Sequence, residues 1–298
     1  MTEFLQLVIA GIAVGLQYAL VALGFVVIYK ATHVINFAQG SFVMLGAYLT
    51  YQFATVWGLP FPVGVAIAIV LVGLVGIVIE RLILRKMVGQ PAFALIMITF
   101  GLVFIIAEVC STIWGYESLN LGDPWGIDTV EVAGLVIQVK NIWATILASV
   151  VLAAFFAFFR FSKLGLAMRA SALDQEAALA QGMSASRVVM TAWAIAGGVA
   201  ALAGVIIAAG PGQLAPTVQF VALLAFPALI LGGVDSPGGA VLGGIIIGIT
   251  QQLTAGYQNQ YAPFLGENFQ SVMPYVVMVL ILLIRPYGLF GTREVKRI

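Results

Sequence analysis

Long apolar stretches, separated by short polar ones, fill most of this chain. Nine apolar segments lie at about residues 4–29, 40–57, 61–79, 91–114, 142–159, 188–209, 217–233, 239–256 and 270–285. Several run for 18 or more residues without a charge, long enough to cross the hydrocarbon of a bilayer. In lipid such stretches must close their own backbone hydrogen bonds, so they are expected to be helices. The two-residue alternation of an outer-membrane barrel is not their pattern. The expected fold is an all-α integral membrane protein with about 8–9 transmembrane segments, some short or re-entrant, forming one transmembrane domain over residues 1–298.

Segments 40–57, 217–233 and 239–256 are short against the roughly 20 residues a span needs. Glycine and proline interrupt or bound them: Gly46, Pro227, Gly232-Gly233, Pro237-Gly238-Gly239 and Gly243-Gly244. Two architectures suit that pattern. One is a set of half-helices lining a pathway; the other is ordinary short spans packed closely through glycine. Phe4 to Tyr29 is too long for the apolar core of a signal peptide, and no Lys or Arg precedes it. It is expected to be the first span.

Charge then orients the chain. Only 8% of the 298 residues are charged, against roughly 25% in soluble domains. With a net charge of +1, no overall field attracts nucleic acid. Under the nine-segment count, Lys30, Arg81, Arg85, Lys86, Arg160, Lys163, Arg169, Arg187, Arg285, Arg293, Lys296 and Arg297 fall on one side. Lys140 alone falls on the other. Basic residues collect on the cytoplasmic face, so the N-terminus is expected outside and the C-terminus inside. The loop at about 115–141 is then external and acidic, with Glu117, Asp123, Asp128 and Glu131. Its Thr129–Val139 part alternates as a small hairpin or surface strand does.

The cytoplasmic loop at about 160–187 is a polar island in an apolar chain. Gly165 and Gly182 bracket Leu166–Gln181, which consists mostly of strong helix formers. Leu173, Ala177, Leu179 and Ala180 form a small apolar face, with Asp174, Gln175 and Glu176 on the polar side. Small alanines let a helix sit deep in a groove of another protein, and a wedged helix transmits rigid-body motion. The alternative is a helix lying on lipid headgroups, which wants larger apolar residues and more lysines.

Other polar positions carry weaker signals. Asn36, Gln39 and Ser41 precede or begin a short apolar segment, where they either line a polar cavity or cap the helix. Glu108 is the clear charge inside a span, either functional or reaching water at the outer interface. The sequence Leu231–Ala240, with Gly232, Gly233, Asp235 and Gly238, suits a sharp cytoplasmic turn; it lacks the Lys-Ser/Thr of a phosphate loop. The single cysteine, Cys110, excludes an internal disulfide, and His33 has no partner at ligand spacing, so no metal site is expected. No set of nucleophile, base and acid is present, which points to a non-catalytic chain.

Four stretches together resemble a known family. Asn36–Tyr48 (NFAQGSFVMLGAY), Gly165–Met183 (GLAMRASALDQEAALAQGM), Gly232–Gly244 (GGVDSPGGAVLGG) and Arg285–Gly291 (RPYGLFG) are similar to the permease subunits of branched-chain amino acid ABC importers, the LivH type. The resemblance covers essentially the whole chain, and its specificity lies in the order of all four motifs. It implies half of a translocation pathway for branched-chain or related hydrophobic amino acids, in the bacterial cytoplasmic (inner) membrane. It implies four kinds of partner: a paralogous LivM-type permease, two cytoplasmic ABC ATPases, an extracytoplasmic solute-binding protein, and membrane lipid. No cofactor is expected on this chain; ATP and Mg belong to the ATPases.

In this resemblance Asp174, Glu176, Ala177, Ala178 and Gly182 match the coupling helix. Asn36, Gln39, Ser41 and Glu108 are the expected pathway residues. Many relatives carry His and Glu where this chain has Gln39 and Ser41. That departure leaves open the same importer type serving urea, short amides or small carboxylates. A secondary transporter or channel working without ATP is the alternative of another class.

Overall fold

A computed structural model describes residues 2–87, 89–122, 124–126, 128–132, 134–173, 184–209, 214–266 and 268–292. The chain is mainly helical. In order come α1 (Thr2–Thr32), α2 (Gln39–Thr50), α3 (Phe61–Leu82), α4 (Ala92–Trp114), α5 (Val139–Phe161), α6 (Lys163–Leu173), α7 (Ala185–Ala208), α8 (Val221–Gly232), α9 (Pro237–Tyr261) and α10 (Met273–Ile284). A hairpin of β1 (Thr129–Val132) and β2 (Leu135–Gln138) pairs Thr129 with Gln138 and Val132 with Leu135. It lies within the stretch whose alternation suggested a hairpin.

Among the described residues, six helices are long and apolar enough to cross a membrane: α1, α3, α4, α5, α7 and α9. The other three apolar segments form shorter helices. Thr50 leads directly into a π-helical turn at Tyr51–Val56, which extends α2. Pro216–Phe220 forms a 3₁₀ turn before α8, and Phe269–Ser271 one before α10.

One length expectation is corrected. The segment expected to be short at 239–256 is a 25-residue helix, α9. Its start is firmly built: the Ser236 hydroxyl accepts from the Gly239 N–H at 3.0 Å, and Pro237 occupies the first turn. Gly239, Gly243, Gly244 and Gly248 are packing positions rather than breaks. A Cβ on Gly15 of α1 would stand 2.6 Å from the Gly244 carbonyl oxygen, so the two backbones meet there directly. The segment at 270–285 is helical over Phe269–Ile284, where a 3₁₀ turn leads into the 12-residue α10. Pro274 sits in its first turn, and Arg285 leaves helical geometry before Pro286 (φ −132°, ψ 85°), as residues preceding proline do.

The chain divides into two compact units. The first comprises residues 1–26, 125–149 and 221–298; the second comprises 27–124 and 150–220. In the first, α9 packs on α8 and α10, and the Tyr18 hydroxyl donates to Gln251 Oε1 at 2.7 Å. In the second, α2 packs against α3, α4 and α7, and α3 against α7. Small residues set these contacts: a Cβ on Gly76 would lie 2.5 Å from the Trp193 carbonyl oxygen, and one on Gly197 would lie 2.7 Å from that of Val72.

Candidate functional site

The polar residues of the second unit gather where α1 ends and α2 begins. Thr32 closes α1 by donating its hydroxyl to the Ile28 carbonyl at 2.8 Å, and His33 then takes a positive φ of 55°. Asn36 turns the chain into α2: its Oδ1 accepts from the Ala38 N–H at 3.0 Å, and its carbonyl accepts from the Gln39 N–H at 3.3 Å. Ala38 is the residue before the helix, and no side chain caps it. Asn36 therefore shapes the approach to α2 without capping it, and Ser41 does not cap it either.

Asn36, Gln39 and Ser41 are all fully buried. Gln39 Nε2 donates to the Ala196 carbonyl on α7 at 3.3 Å. The Ser41 hydroxyl lies 3.4 Å from the Val103 carbonyl on α4 and 3.3 Å from Gln219 Oε1 in the 3₁₀ turn before α8. The start of α2 is thus stitched to three neighbouring segments by polar side chains. Asn36 Nδ2 and Gln39 Oε1 nevertheless have no hydrogen-bond partner. Farther along α2, the Tyr48 ring stacks on Trp114 at 5.1 Å, and its hydroxyl is also unpartnered.

Beside this cluster lies a cavity of about 500 Å³. It is walled by the ends of α1 and α3, the segment leading into α4, and the start of α7. Most of the lining is apolar, including Ile28, Val34 and Leu95; the polar residues include Asn36, Glu80, Arg85 and Trp193. Arg85 clasps Glu80 with Nη2 at 3.0 Å from Oε2 and Nε at 3.3 Å from Oε1. The Glu80 side chain is 3% exposed and that of Arg85 40%. Sequence reasoning passed over this buried carboxylate because it stands at the edge of segment 61–79 beside Arg81. The available signal was a cation five residues on, across the end of a helix.

Glu108 is not part of the cluster. It lies on an exposed face of α4 and accepts a hydrogen bond from the Tyr116 hydroxyl at 2.7 Å. That bond holds the phenol in its protonated form and raises its pKa above the usual 10.0.

Asp174, Glu176, Ala177, Ala178 and Gly182 lie outside the described residues. The helix that leads to them, α6, packs on α7. Arg169 on α6 donates through Nη2 to the Arg160 carbonyl at 3.2 Å, and its guanidinium stands 5.8 Å from the Phe159 ring centre.

Gly232 ends α8, Gly233 and Asp235 lie in the turn that follows, and Gly238 sits in the first turn of α9, all within the first unit. Gly233 adopts φ +102°, a conformation that disfavours any side chain. The C-terminal segment lies along this turn: the Leu289 N–H donates to the Leu231 carbonyl at 2.8 Å and the Phe290 N–H to that of Gly232 at 3.2 Å. A Cβ on Gly238 would meet open space, so sterics do not demand glycine there.

Comparison with known proteins gives a family. Residues 7–282 match the family described as branched-chain amino acid transport system / permease component. The chain is 29% identical to the high-affinity branched-chain amino acid transport system permease protein LivH of Escherichia coli K12, over 99% of this chain and 98% of that protein. It is 28% identical to LivH of Salmonella typhimurium over the same shares. BraD of Pseudomonas aeruginosa is 26% identical, again over 99% and 98%. Among solved structures, PsaBC from Streptococcus pneumoniae in complex with Fab shares the fold at a TM-score of 0.50 and 14% identity, covering 95% of this chain and 92% of that one.

Proposed function

The chain belongs to the branched-chain amino acid transport system permease family, and on that premise we propose that it is one membrane subunit of an ATP-driven importer for branched-chain or related hydrophobic amino acids. The observation that carries this reading is the family match across residues 7–282, together with near full-length likeness to LivH and BraD. ATP hydrolysis belongs to two separate ATPase chains, and this subunit supplies no catalytic group. Its partner in the membrane is a LivM-type permease, and an extracytoplasmic binding protein delivers the solute.

In this proposal the nine apolar helical segments cross or enter the bacterial inner membrane in alternation, N-terminus outside. The basic residues then gather inside. In the second unit, Lys30 and Arg81 lie in the last turns of α1 and α3, Arg85 and Lys86 just beyond α3, and Arg187 in the first turn of α7; these helix ends border one cavity, and the positive-inside rule makes that end cytoplasmic. The acidic loop at 115–141 faces the binding protein. Closure of the ATPases pushes on the segment at Asp174–Gly182, and α6, fixed to the end of α5 through Arg169, passes that push to α7.

The rocking opens and closes a path past the buried polar start of α2. Gln39, Ser41 and Asn36 are the polar stations along that path. Glu108 stands apart as a carboxylate on the exposed face of α4, where a neighbouring permease or the binding protein meets it.

Affinity purification of the tagged chain from native membranes in mild detergent tests the reading. Recovery of two ATPases and a second permease supports it. A homo-oligomer without any ATPase, reproduced after crosslinking, would overturn it in favour of a channel or secondary carrier.

A further inference from the structure

The cavity beside Asn36 has an unusual polar inventory. Thr32 and Thr99 on its wall are satisfied, since each donates its hydroxyl to a backbone carbonyl of its own helix. Two N–H donors are not: Asn36 Nδ2 and Trp193 Nε1 are buried and have no acceptor. Buried donors in folded proteins are nearly always paired, so two orphans on residues lining one cavity call for an acceptor from outside the chain. The charges on the wall are Glu80 and Arg85. Arg85 engages Glu80 on both carboxylate oxygens, yet each oxygen retains lone pairs able to accept from a further cation. The rest of the lining is mainly aliphatic.

Resting on the importer reading, we infer that this cavity is a binding site at the cytoplasmic end of the second unit for a zwitterionic α-amino acid with an apolar side chain. The ligand carboxylate has two oxygens for two orphan donors, Asn36 Nδ2 and Trp193 Nε1. Its ammonium group lies towards Glu80, and its side chain rests on the aliphatic wall of Ile28, Val34 and Leu95. The size of the cavity is in the range of small-molecule sites. Neither donor nitrogen is exposed in this arrangement. A ligand therefore meets them only after the Asn36 or Trp193 side chain turns into the cavity, which makes filling the site and widening it one event. Occupied from the cytoplasm, the same site holds the imported product.

The test uses the assembled importer in nanodiscs, without binding protein and without nucleotide, with radiolabelled L-leucine as the probe. Saturable binding is expected. Isoamylamine, which lacks the carboxylate, and 4-methylpentanoate, which lacks the amine, should each compete about tenfold or more less well than leucine. Trp193→Phe keeps the ring and removes the N–H. Asn36→Asp keeps the oxygen that receives the Ala38 N–H and removes the free donors. Each should weaken leucine about tenfold. Glu80→Gln should make leucine and 4-methylpentanoate compete alike.

Absence of saturable binding, or equal competition by all three compounds on the wild-type assembly, overturns the inference without relying on any variant. Leucine binding unchanged in all three variants overturns it as well. Failure to recover the assembly at all would instead defeat the importer reading on which the site rests.

Discussion

The Asp235 carboxylate accepts hydrogen bonds from Thr292, 57 residues further along the chain: the backbone N–H stands 3.3 Å from both carboxylate oxygens, and the hydroxyl donates to Oδ2. This contact ties Gly232–Gly244, one of the stretches that carry the family resemblance, to the residue that directly follows another, Arg285–Gly291. They lie far apart in sequence and make one structural piece. The backbone bonds from Leu289 and Phe290 to Leu231 and Gly232 continue the same strap, and the positive φ of Gly233 lets the turn lie under it.

Asp235→Ala removes the acceptor for both Thr292 donors. A charged acceptor of this kind contributes about 1.5–3 kcal/mol when enclosed; the partly open setting reduces that to about 1 kcal/mol. The expected result is faster proteolytic trimming of the C-terminal segment and a modest drop in melting temperature. Thr292→Val, which keeps the backbone N–H, should give part of the effect. Equal trimming rates in wild type and both variants would show that the Leu289 and Phe290 bonds hold the strap alone.

Gly46 and Ala201 bring α2 and α7 into direct backbone contact, as do Gly204 and Val43. Neither place has room for a side chain. Gly204→Leu should force the helices apart and expose the polar start of α2, with a loss of about 3 kcal/mol or more. The readout is the folded fraction after detergent extraction, by size-exclusion chromatography. Gly101→Leu is the control, because a Cβ there meets nothing within 4 Å; it should behave as wild type. A monodisperse Gly204→Leu protein with normal melting would refute the close-packing account.

Glu80 is buried and Arg85 is its ion-pair partner. Arg85→Ala leaves a carboxylate enclosed without its cation. For fully buried pairs such a truncation costs about 3–5 kcal/mol; here Arg85 keeps 40% exposure, so about 1–3 kcal/mol is expected. Adding Glu80→Gln should recover most of that loss, because the uncompensated charge disappears. A double-mutant cycle on thermal melting measures it. Additive losses from the two substitutions would mean that the pair does not act as a unit.

The Tyr116–Glu108 bond gives a titration with a defined sign. The phenol donates to a carboxylate, which favours its protonated form and places its pKa above 10.0. The contribution to stability is present below the unfolded value of 10.0 and is lost as pH rises through the folded value. Phenolate absorbance near 295 nm, as the difference between wild type and Tyr116→Phe, should report a midpoint above the ordinary one. Glu108→Gln should move that midpoint down towards 10.0 by removing the charge. An identical midpoint with and without Glu108→Gln would dismiss the interaction.

Much of this architecture is legible from residue type alone. A run such as 4–29 has no means of satisfying its backbone in lipid except as a helix, and α1 covers it. The alternation at Thr129–Gln138 likewise gives a hairpin. Helix length is harder to read, because glycine has two opposite meanings. In α9 the glycines fit the helix against α1 and α8, while in the turn at Gly233 one glycine ends a helix through its positive φ. Only the partner surface distinguishes the two cases. The site shows the same limit. Glu80 borders a span and is buried with Arg85, whereas Glu108 lies inside a span and is exposed. Which face of a helix turns inward depends on its neighbours, and a heavily apolar helix carries little periodic pattern to reveal it. The pairing of Asp235 with Thr292 has no local signature, since it depends on where the chain returns.

Residues Asp174–Gly182 of the polar island follow α6 in sequence and lie outside the described residues. Arg169 and Gly165 fix α6 to the end of α5: a Cβ on Gly165 would stand 2.5 Å from the Phe159 carbonyl oxygen, so the helix begins in close contact with that backbone. On the far side, the Ser184 hydroxyl accepts from the Arg187 N–H at 3.4 Å and starts α7. A segment anchored at both ends moves its anchors when it is pushed. Asp174→Lys or Glu176→Lys reverses charge on the face expected to meet the ATPase, and Gly182→Pro constrains the backbone at the exit. Each should lower co-purification of the ATPases and reduce uptake about tenfold or more, with unchanged amounts of the chain in the membrane. Gly165→Leu should uncouple differently, retaining the ATPases while losing uptake, because the push reaches a helix no longer seated on α5. Wild-type uptake in Gly182→Pro would reduce the segment to a surface feature.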